Sequence, residues 1–195
     1  MQEIRKKIAR EFEFLENVNG IELKFLSTWG LFSPERIDDG SKLLLEYVIV
    51  KNQDKILDLG CGLGILGIYL GRKYSETKVE MVDKDFVAVS YANKNIVLNG
   101  LSNAEAYLSN MFEQVSVDKR FDLIVSNIPA KVSKEMYWIM FDDMKKHLNN
   151  GGRVYLVAIK GLKEFLKRSM KEYFGNCERV AIEKNYVLLK SEKLL

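Results

Sequence analysis

Hydrophobic and polar positions alternate at two different spacings near the start of the chain. Between residues 3 and 16 the apolar positions follow a helical period, which predicts an amphipathic helix with a stripe formed by Ile4, Ile8, Phe12 and Leu15. Asn19-Gly20 is a turn signal, and the alternation from Ile21 to Phe25 predicts a β-strand. We therefore expect a leader of one helix and one strand over residues 1–28.

From residue 41 onward, apolar segments of strand length alternate with longer segments of helical period. A helix is predicted from Ser41 to Val50, and strands and helices then alternate as far as Ala158. This order favours an α/β fold, a parallel sheet with helices on both faces. The tail differs, because residues 179–182 and 186–189 are two apolar runs around a polar turn. They predict an antiparallel hairpin at one edge of the sheet.

One predicted strand-to-helix turn combines glycines with a carboxylate. Asp58 is followed by Gly60, Gly62 and Gly64, directly after an apolar run. Such glycines let the backbone turn tightly and approach a ligand closely. With Gly67 they also match the dinucleotide fingerprint, but Asp58 would repel a pyrophosphate and attract the positive ammonium and sulfonium of S-adenosylmethionine. The turn therefore indicates an S-adenosylmethionine site, and a turn that only packs a helix on the sheet is the alternative.

A second acidic residue ends the next predicted strand. Asp83 follows a short apolar run about one strand-helix unit after the glycine turn, where a carboxylate can accept hydrogen bonds from both ribose hydroxyls. Its alternative role is to cap the following helix. Asp85 suits that role better, because it stands directly before the helical pattern that begins at Phe86. Asp83 is thus the predicted ribose ligand.

A third polar group lies where a buried strand runs into Asn127-Ile128-Pro129. Because proline cannot continue a central strand, the chain leaves the sheet here, at the edge where open α/β sheets bind ligands. An amide and a carbonyl fixed by a proline can accept both hydrogens of an exocyclic amine and direct its lone pair at a methyl donor, so alignment supplies most of the rate enhancement. The alternative is a turn that merely ends a strand.

Taken together, these segments resemble the small-domain class I methyltransferases. The similarity is greatest to the catalytic half of the bacterial ribosomal RNA guanine-N2 methyltransferases and to their stand-alone archaeal relatives. It runs in the same order from Trp29 onward over roughly four-fifths of the chain, far more than a single motif. The matching segments are residues 30–33, 37–45, 56–64, 109–112, 120–127 and 147–152.

The resemblance implies a Rossmann-like α/β domain over residues 29–195, with a mostly parallel seven-stranded sheet, an antiparallel C-terminal hairpin edge and helices on both faces. It implies S-adenosylmethionine as the cofactor, and Asn127, Ile128 and Pro129 as the catalytic residues at the target amine. The implied cofactor-binding residues are Phe32, Asp58, Gly60, Cys61, Gly62, Gly64, Asp83, Lys84, Ser109, Asn110 and Asn127. Phe32 and the loop after it would close over the cofactor.

The chain departs from the family pattern around Pro129. The family usually has two prolines after the asparagine and then often an aromatic residue that stacks on the flipped base, whereas this chain has Ile128 and Ala130. Ile128 still offers its backbone carbonyl. Ala130 cannot stack, and each lost base stack weakens binding by about 1 to 3 kcal/mol. The candidates to replace the ring are Trp29, Phe32, Tyr137 and Trp138.

Composition and charge are compatible with a single domain that binds RNA. The 195 residues, 47% of them hydrophobic, suffice for one core, and the formal charge of +3 is mildly basic. Arg36, Lys131 and Lys134 flank the predicted pocket and, with Ala130, are the candidate substrate-binding residues beside an RNA backbone. The basic run from Lys160 to Lys171 predicts an amphipathic helix. Its charged face is interpreted as exposed to water, and contact with phosphate is the alternative.

Other sequence features bear on the cellular location of the protein and on metal or cysteine chemistry. The charged first twenty residues do not resemble a signal peptide, and no apolar run is long enough to span a membrane, so the expected location is cytoplasmic. Cys61 and Cys177 form no CxxC pair, and no metal site is expected. We interpret Cys61 as a small buried residue. His147 is interpreted as a cap at the last turn of a helix that Gly151-Gly152 end.

Two classes of function follow. The leading hypothesis is an S-adenosylmethionine-dependent N-methyltransferase that modifies the N2 amine of a guanine in ribosomal or other structured RNA. A protein glutamine and a small-molecule amine are the alternative acceptors. The second class is a non-catalytic relative that binds cofactor or RNA. Cofactor binding without methyl transfer to RNA would favour the second class. The sequence indicates no particular oligomeric state.

Overall fold

A seven-stranded sheet with helices on both faces forms the centre of the molecule. The computed structural model describes residues 11–130 and 132–194. In chain order the elements are β1 (Phe12–Val18), β2 (Ile21–Ser27), α1 (Asp39–Tyr47), β3 (Lys55–Leu59), α2 (Ile65–Lys73), β4 (Lys78–Asp83), α3 (Phe86–Leu98), β5 (Ala104–Leu108), β6 (Phe121–Asn127), α4 (Lys134–His147), β7 (Leu148–Ile159), a 3₁₀ turn (Lys160–Leu162), α5 (Lys163–Phe174), β8 (Glu178–Glu183) and β9 (Tyr186–Glu192).

The strand order of the large sheet is β5-β4-β3-β6-β7-β9-β8. The pairs from β5 to β7 are parallel, whereas β9 is antiparallel to both β7 and β8. The predicted Rossmann-like fold with an antiparallel C-terminal hairpin is therefore confirmed. Successive strands are added on one side of β3 and then, from β6 onward, on the other. This reversal opens a crevice at the carboxyl ends of β3 and β6, where open α/β sheets bind ligands.

Buried side chains pack on both faces of the sheet. Successive residues of β3 point to opposite faces, so Ile56 joins one hydrophobic cluster and Leu57 joins the other. The first cluster includes Leu44 of α1 and Ile68 of α2, and the second includes Phe141 of α4. In one place the predicted alternation of strands and helices is wrong, because β5 connects to β6 through turns.

The predicted leader helix is wrong over residues 12–16, which belong to β1; residues 3–10 lie outside the described residues. β1 and β2 form a separate antiparallel hairpin. The inward side of β1 carries Phe12, Phe14, Glu16 and Val18, whereas Leu15 is 63% exposed. The acidic Glu16 on the inward side and Leu15 on the outward side hide the two-residue period that would have predicted a strand.

Two asparagines of α3 attach this hairpin to the rest of the molecule. Asn95 accepts from Leu26 N at 2.7 Å and donates to Leu26 O at 3.1 Å, and Asn99 makes the same pair of bonds with the backbone of Lys24. The two side-chain amides form hydrogen bonds with backbone N–H and C=O groups at the free edge of β2, as a neighbouring strand would. Asn95 also donates to Leu63 O in the glycine turn at 3.1 Å, so the hairpin is tied to the predicted cofactor site.

The remaining predictions differ from the structure mainly at element ends. The helix predicted from Ser41 to Val50 spans Asp39–Tyr47, and the predicted basic helix is observed as α5. His147 is the last residue of α4, but the two glycines do not end this helix, because β7 begins at Leu148 and contains them. The His147 ring is buried against Phe112, and its Nδ1 lies 3.0 Å from Lys119 O. Of the helices in the described ranges, none has the length and hydrophobicity needed to cross a bilayer.

Candidate active site

The predicted ligand residues come together at the carboxyl edge of the sheet. Asp58 lies near the end of β3, Asp83 ends β4 and Asn127 ends β6. The Ser109-Asn110 turn follows β5, and Ser109 N donates to Asp83 O at 2.9 Å. Although the four positions span a long stretch of sequence, the parallel strands bring them to one side of the molecule.

The glycines just after β3 and in the first turn of α2 serve two separate purposes. Gly60 and Gly62 have φ angles of 75° and 54°, and a Cβ at either would meet nothing within 4 Å. The turn can therefore be approached closely on this side. Gly67 is needed for packing, because a Cβ there would lie 2.4 Å from Met81 Sδ. Gly67 thus lets α2 lie close against β4.

Asp58 is a buried carboxylate with one oxygen left over. Its Oδ2 accepts from Gly67 N at 2.9 Å, whereas its buried Oδ1 has no hydrogen-bond partner among the described residues. Burial is the main cause that raises the pKa of Asp58 to about 7. The hydrogen bond from Gly67 N lowers this pKa, and the nearby charge of Asp83 raises it. A positively charged ligand group at Oδ1 would favour the ionised form.

Asp83 is held by backbone groups on both sides. Its Oδ2 accepts from Gly62 N and its Oδ1 from Asp85 N, each at 2.9 Å. A carboxylate has about four acceptor positions, so two stay available to hydroxyl groups. Asp85 is the N-cap of α3, as predicted, and accepts from Val87 N at 2.8 Å. Lys84 between them is exposed.

The side chains of the Ser109-Asn110 turn are used within the turn itself. Ser109 is buried, and its hydroxyl donates to Met111 O at 2.7 Å. Asn110 donates to Glu113 at 3.0 Å. Cys61 is buried in the glycine turn, and burial together with the charges of Asp58 and Asp83 raises the pKa of its thiol. The thiol therefore stays protonated and is a poor nucleophile.

Asn127 is fixed by two side chains at the start of α1. Its Nδ2 donates to Asp38 Oδ1 at 2.9 Å and to Ser41 Oγ at 3.1 Å. Asp38 is the buried N-cap of α1, and the same Oδ1 accepts from Gly40 N and Ser41 N. Sequence reasoning assigned no role to Asp38 or Ser41. The usable signal was local, because an aspartate directly before the start of a helix is a favoured N-cap residue.

The segment after Asn127 is held by Tyr137. Ile128 is buried and its N donates to Val157 O at 3.0 Å, which extends the pairing of β6 with β7. The Tyr137 hydroxyl donates to Pro129 O at 2.7 Å. Tyr137 is therefore a buried support of this loop, and its suggested use as a stacking ring is wrong. Ala130 is exposed.

The other candidate substrate and lid residues lie in the segment before α1 and in or just before α4. Phe32 is 67% exposed and Trp29 is 43% exposed, both in the segment that leads to Asp38, and Trp138 on α4 is 41% exposed. Arg36 and Lys134 are exposed, and Lys134 Nζ lies 5.9 Å from the Phe165 ring centroid. Lys131 lies outside the described residues.

Comparison with known proteins identifies the fold's family. The family model described as "Methyltransferase small domain" matches residues 22–190. This chain belongs to the methyltransferase small domain family. The predicted class, an S-adenosylmethionine-dependent methyltransferase, is thereby confirmed.

Relatives within the methyltransferase small domain family have different lengths. An uncharacterized protein, YbxB from Bacillus subtilis, is 29% identical, with 89% of this chain and 87% of the relative aligned. Ribosomal RNA small subunit methyltransferase C from Colwellia psychrerythraea is 30% identical over 90% of this chain. The aligned part is 49% of that relative, so the chain spans about half the length of the ribosomal RNA methyltransferase.

Solved structures agree with the methyltransferase small domain fold. The 16S rRNA N2 methyltransferase RsmC of T. thermophilus, solved in complex with AdoMet and guanosine, matches with a TM-score of 0.84 at 28% identity, over 94% of this chain and 50% of that one. A methyltransferase from Pyrococcus furiosus matches with a TM-score of 0.71 at 21% identity, over 86% of this chain and 91% of that one. The second match supports the fold alone.

Proposed function

We propose that this protein transfers a methyl group from S-adenosylmethionine to the N2 amine of a guanine in ribosomal or other structured RNA. The observation that carries the proposal is the placement of Asn127. Both of its Nδ2 hydrogens have acceptors in the protein, so its Oδ1 is left to accept from an amine at the sheet edge that also holds Asp58 and Asp83.

The cofactor fits the residues of the β3 and β4 ends. In this proposal the α-ammonium of S-adenosylmethionine lies near the unpartnered Oδ1 of Asp58, and the ribose hydroxyls bind the two free acceptor positions of Asp83. The open sides of Gly60 and Gly62 admit the cofactor close to the backbone. In this proposal Phe32, whose ring is largely exposed and therefore free to contact a ligand, covers the cofactor from the solvent side.

Positioning is the main contribution that these side chains make to the reaction. Asn127 Oδ1 and the Ile128 carbonyl accept the two amine hydrogens, which directs the nitrogen lone pair at the methyl carbon. S-adenosylmethionine, when bound, would supply an electrophilic methyl group whose bond to sulfur breaks as the amine nitrogen takes it up, and the nitrogen would then release one proton to water. Because the methylated nitrogen is acidic, a strong base is not required, and alignment accounts for most of the rate enhancement.

The acceptor assignment rests on the relatives and on one local change. The relative from T. thermophilus was solved with guanosine, and guanine offers an exocyclic amine of the kind that Asn127 can orient. Because Ala130 offers no ring, Phe32, Trp29 or Trp138 must supply the stacking face. Arg36 and Lys134 are exposed cations at the same edge, where a phosphate backbone would lie. A role for Lys131 in binding RNA stays a prediction.

A methyl-transfer assay with Asn127 variants tests the proposed function. Purified protein is incubated with labelled S-adenosylmethionine and, separately, with unmodified ribosomal RNA and with protein extract. We expect label in guanine N2 of RNA, and Asn127→Ala should lower turnover about a hundredfold, the usual loss when a positioned polar group is removed. Asn127→Asp should retain intermediate activity, because a carboxylate can still accept the amine hydrogens.

The outcomes separate the alternatives. Asn150 is an exposed asparagine at the opposite edge of the sheet, so Asn150→Ala is the matched control and should keep full activity. Label in glutamine of the protein extract would move the acceptor from RNA to protein. Binding of S-adenosylhomocysteine with no transfer to either extract would identify a non-catalytic relative. Normal turnover of Asn127→Ala would mean that Asn127 only ends a strand.

A further inference from the structure

We propose that Asp38 is the positioning residue of this site: its carboxylate sets which way the Asn127 amide points, and it thereby controls methyl transfer without touching the cofactor. The inference rests on the proposed function and adds a residue to it.

The argument begins with the two ends of the Asn127 amide, which have almost the same shape but opposite hydrogen-bonding character. The oxygen only accepts and the nitrogen only donates. An ionised carboxylate only accepts, so Asp38 Oδ1 at 2.9 Å is compatible with Nδ2 and repels Oδ1 of Asn127. A flipped amide would place two acceptors in contact beside a buried charge. Asp38 therefore holds the amide nitrogen toward α1 and leaves the amide oxygen for the substrate.

Asp38 can hold this orientation because it is itself fixed. Gly40 N and Ser41 N donate to its Oδ1 at 2.9 and 3.1 Å, as in an N-cap. The ring of Tyr186, at the start of β9, packs so closely on Gly40 that a Cβ there would lie 2.8 Å from the ring. Asp38 is thus held by the start of α1, and the Asn127 amide, which is bonded to both Asp38 and Ser41, has little freedom to rotate.

The charge of Asp38 adds to the effect of its geometry. Its Oδ1 accepts three hydrogen bonds, whereas its buried Oδ2 has no hydrogen-bond partner in the described part of the chain, so the carboxylate acts on Asn127 through Oδ1. Hydrogen bonds that share a group polarise one another, and a carboxylate at Nδ2 strengthens the amide oxygen as an acceptor. The same charge favours the positive nitrogen that develops during methyl transfer.

The substitution Asp38→Ser separates the capping role of Asp38 from its contact with Asn127. Serine is also a good N-cap, so Asp38→Ser should keep α1 folded. Its side chain is one atom shorter and uncharged, so the contact with Asn127 is lost. We expect turnover on RNA to fall about thirtyfold while affinity for S-adenosylhomocysteine changes less than about threefold, as for loss of alignment alone. Asp85→Ser is the matched control, because that side chain caps α3 and contacts Val87 N.

A double-mutant cycle tests whether Asp38 acts through Asn127. If it does, Asp38→Ser should lower turnover less than about twofold further in an Asn127→Ala background, since residues that act as a unit are not additive. Full additivity of the two losses would overturn the proposal. Ser41→Ala should show a smaller loss than Asp38→Ser, because its hydroxyl is a neutral acceptor at 3.1 Å.

A spectroscopic measurement distinguishes failure of this inference from failure of the proposed function. The side-chain NH₂ protons of Asn127, assigned by their loss in Asn127→Ala, should exchange slowly with solvent in the wild-type protein without any substrate. Asp38→Ser should shift these resonances and speed their exchange, whereas Asp85→Ser should leave them in place. Unchanged Asn127 resonances in Asp38→Ser would overturn the positioning role whether or not RNA is the substrate.

Discussion

At the scale of single residues, the site depends on carboxylates whose partners differ. Asp58 is fully buried with one free oxygen, whereas Asp83 is held by two backbone N–H groups and keeps free acceptor positions. The first is suited to a positive group and the second to hydroxyls. The roles of Asp58 and Asp83 can therefore be tested by different measurements.

Asp58 should make the stability of the ligand-free protein depend on pH. Its pKa is about 7 in the folded protein and 3.8 without the fold, so the folded state binds the extra proton between these values. Stability from this group is therefore present below about pH 4 and is lost as pH rises to 7, by about 1.4 kcal/mol per pKa unit at most. Asp58→Asn keeps an acceptor for Gly67 N and removes this loss.

Urea unfolding at pH 5 and pH 8 checks this expectation. The stability of Asp58→Asn relative to wild type should be higher at pH 8 than at pH 5. At pH 8 the variant should bind S-adenosylhomocysteine more weakly than the wild type, because the proposed partner of the α-ammonium is gone. A relative stability that does not change with pH would show that Asp58 titrates normally.

Asp83 should control cofactor affinity without affecting specificity for the acceptor. Asp83→Ala removes the proposed acceptor for the ribose hydroxyls, and hydrogen bonds to charged groups contribute about 1.5 to 3 kcal/mol each. We expect at least about tenfold weaker binding of S-adenosylhomocysteine by calorimetry. Unchanged affinity would remove Asp83 from the site, and tighter binding of NADH than of S-adenosylhomocysteine would contradict the cofactor assignment itself.

At the scale of elements, the β1–β2 hairpin supports the loop that leads to Asp38. Glu16 on β1 accepts from Ile37 N at 3.0 Å and from Lys42 Nζ at 3.1 Å. One side chain therefore ties the hairpin to both the residue before Asp38 and the helix after it. The β1–β2 hairpin thus contacts the segment that carries Asp38.

Glu16→Ala should loosen this loop and destabilise the protein. The lost bond is a backbone N–H to a charged acceptor, so we expect a loss of about 1 to 3 kcal/mol in urea unfolding and faster amide exchange at Ile37. Glu13→Ala is the control, since Glu13 lies on the exposed side of the same strand. Equal stability of the Glu16 and Glu13 variants would mean that the hairpin packs on the loop without holding it.

At the scale of the whole molecule, local sequence patterns predicted most of the sheet and the polar residues at its carboxyl edge. Asp58, Asp83 and Asn127 could be placed because each stands at the end of an apolar run, and parallel strands end at a common edge. The β1 strand was missed, since Glu16 faces inward for a bond to Ile37, a residue far along the chain. The contact of Asp38 with Asn127 joins residues 89 positions apart, and no local pattern predicts it.

The position of β9 has a consequence for how the sheet is completed. β9 lies between β7 and β8, although it follows both in the chain. Until residues 186–192 have been synthesised, the long strand β7 has an open edge of unpaired backbone groups. Such edges pair readily with other chains. A chain stalled or cut before Tyr186 would therefore present this edge to its neighbours on a polysome, and we expect it to be a target for chaperones or for aggregation.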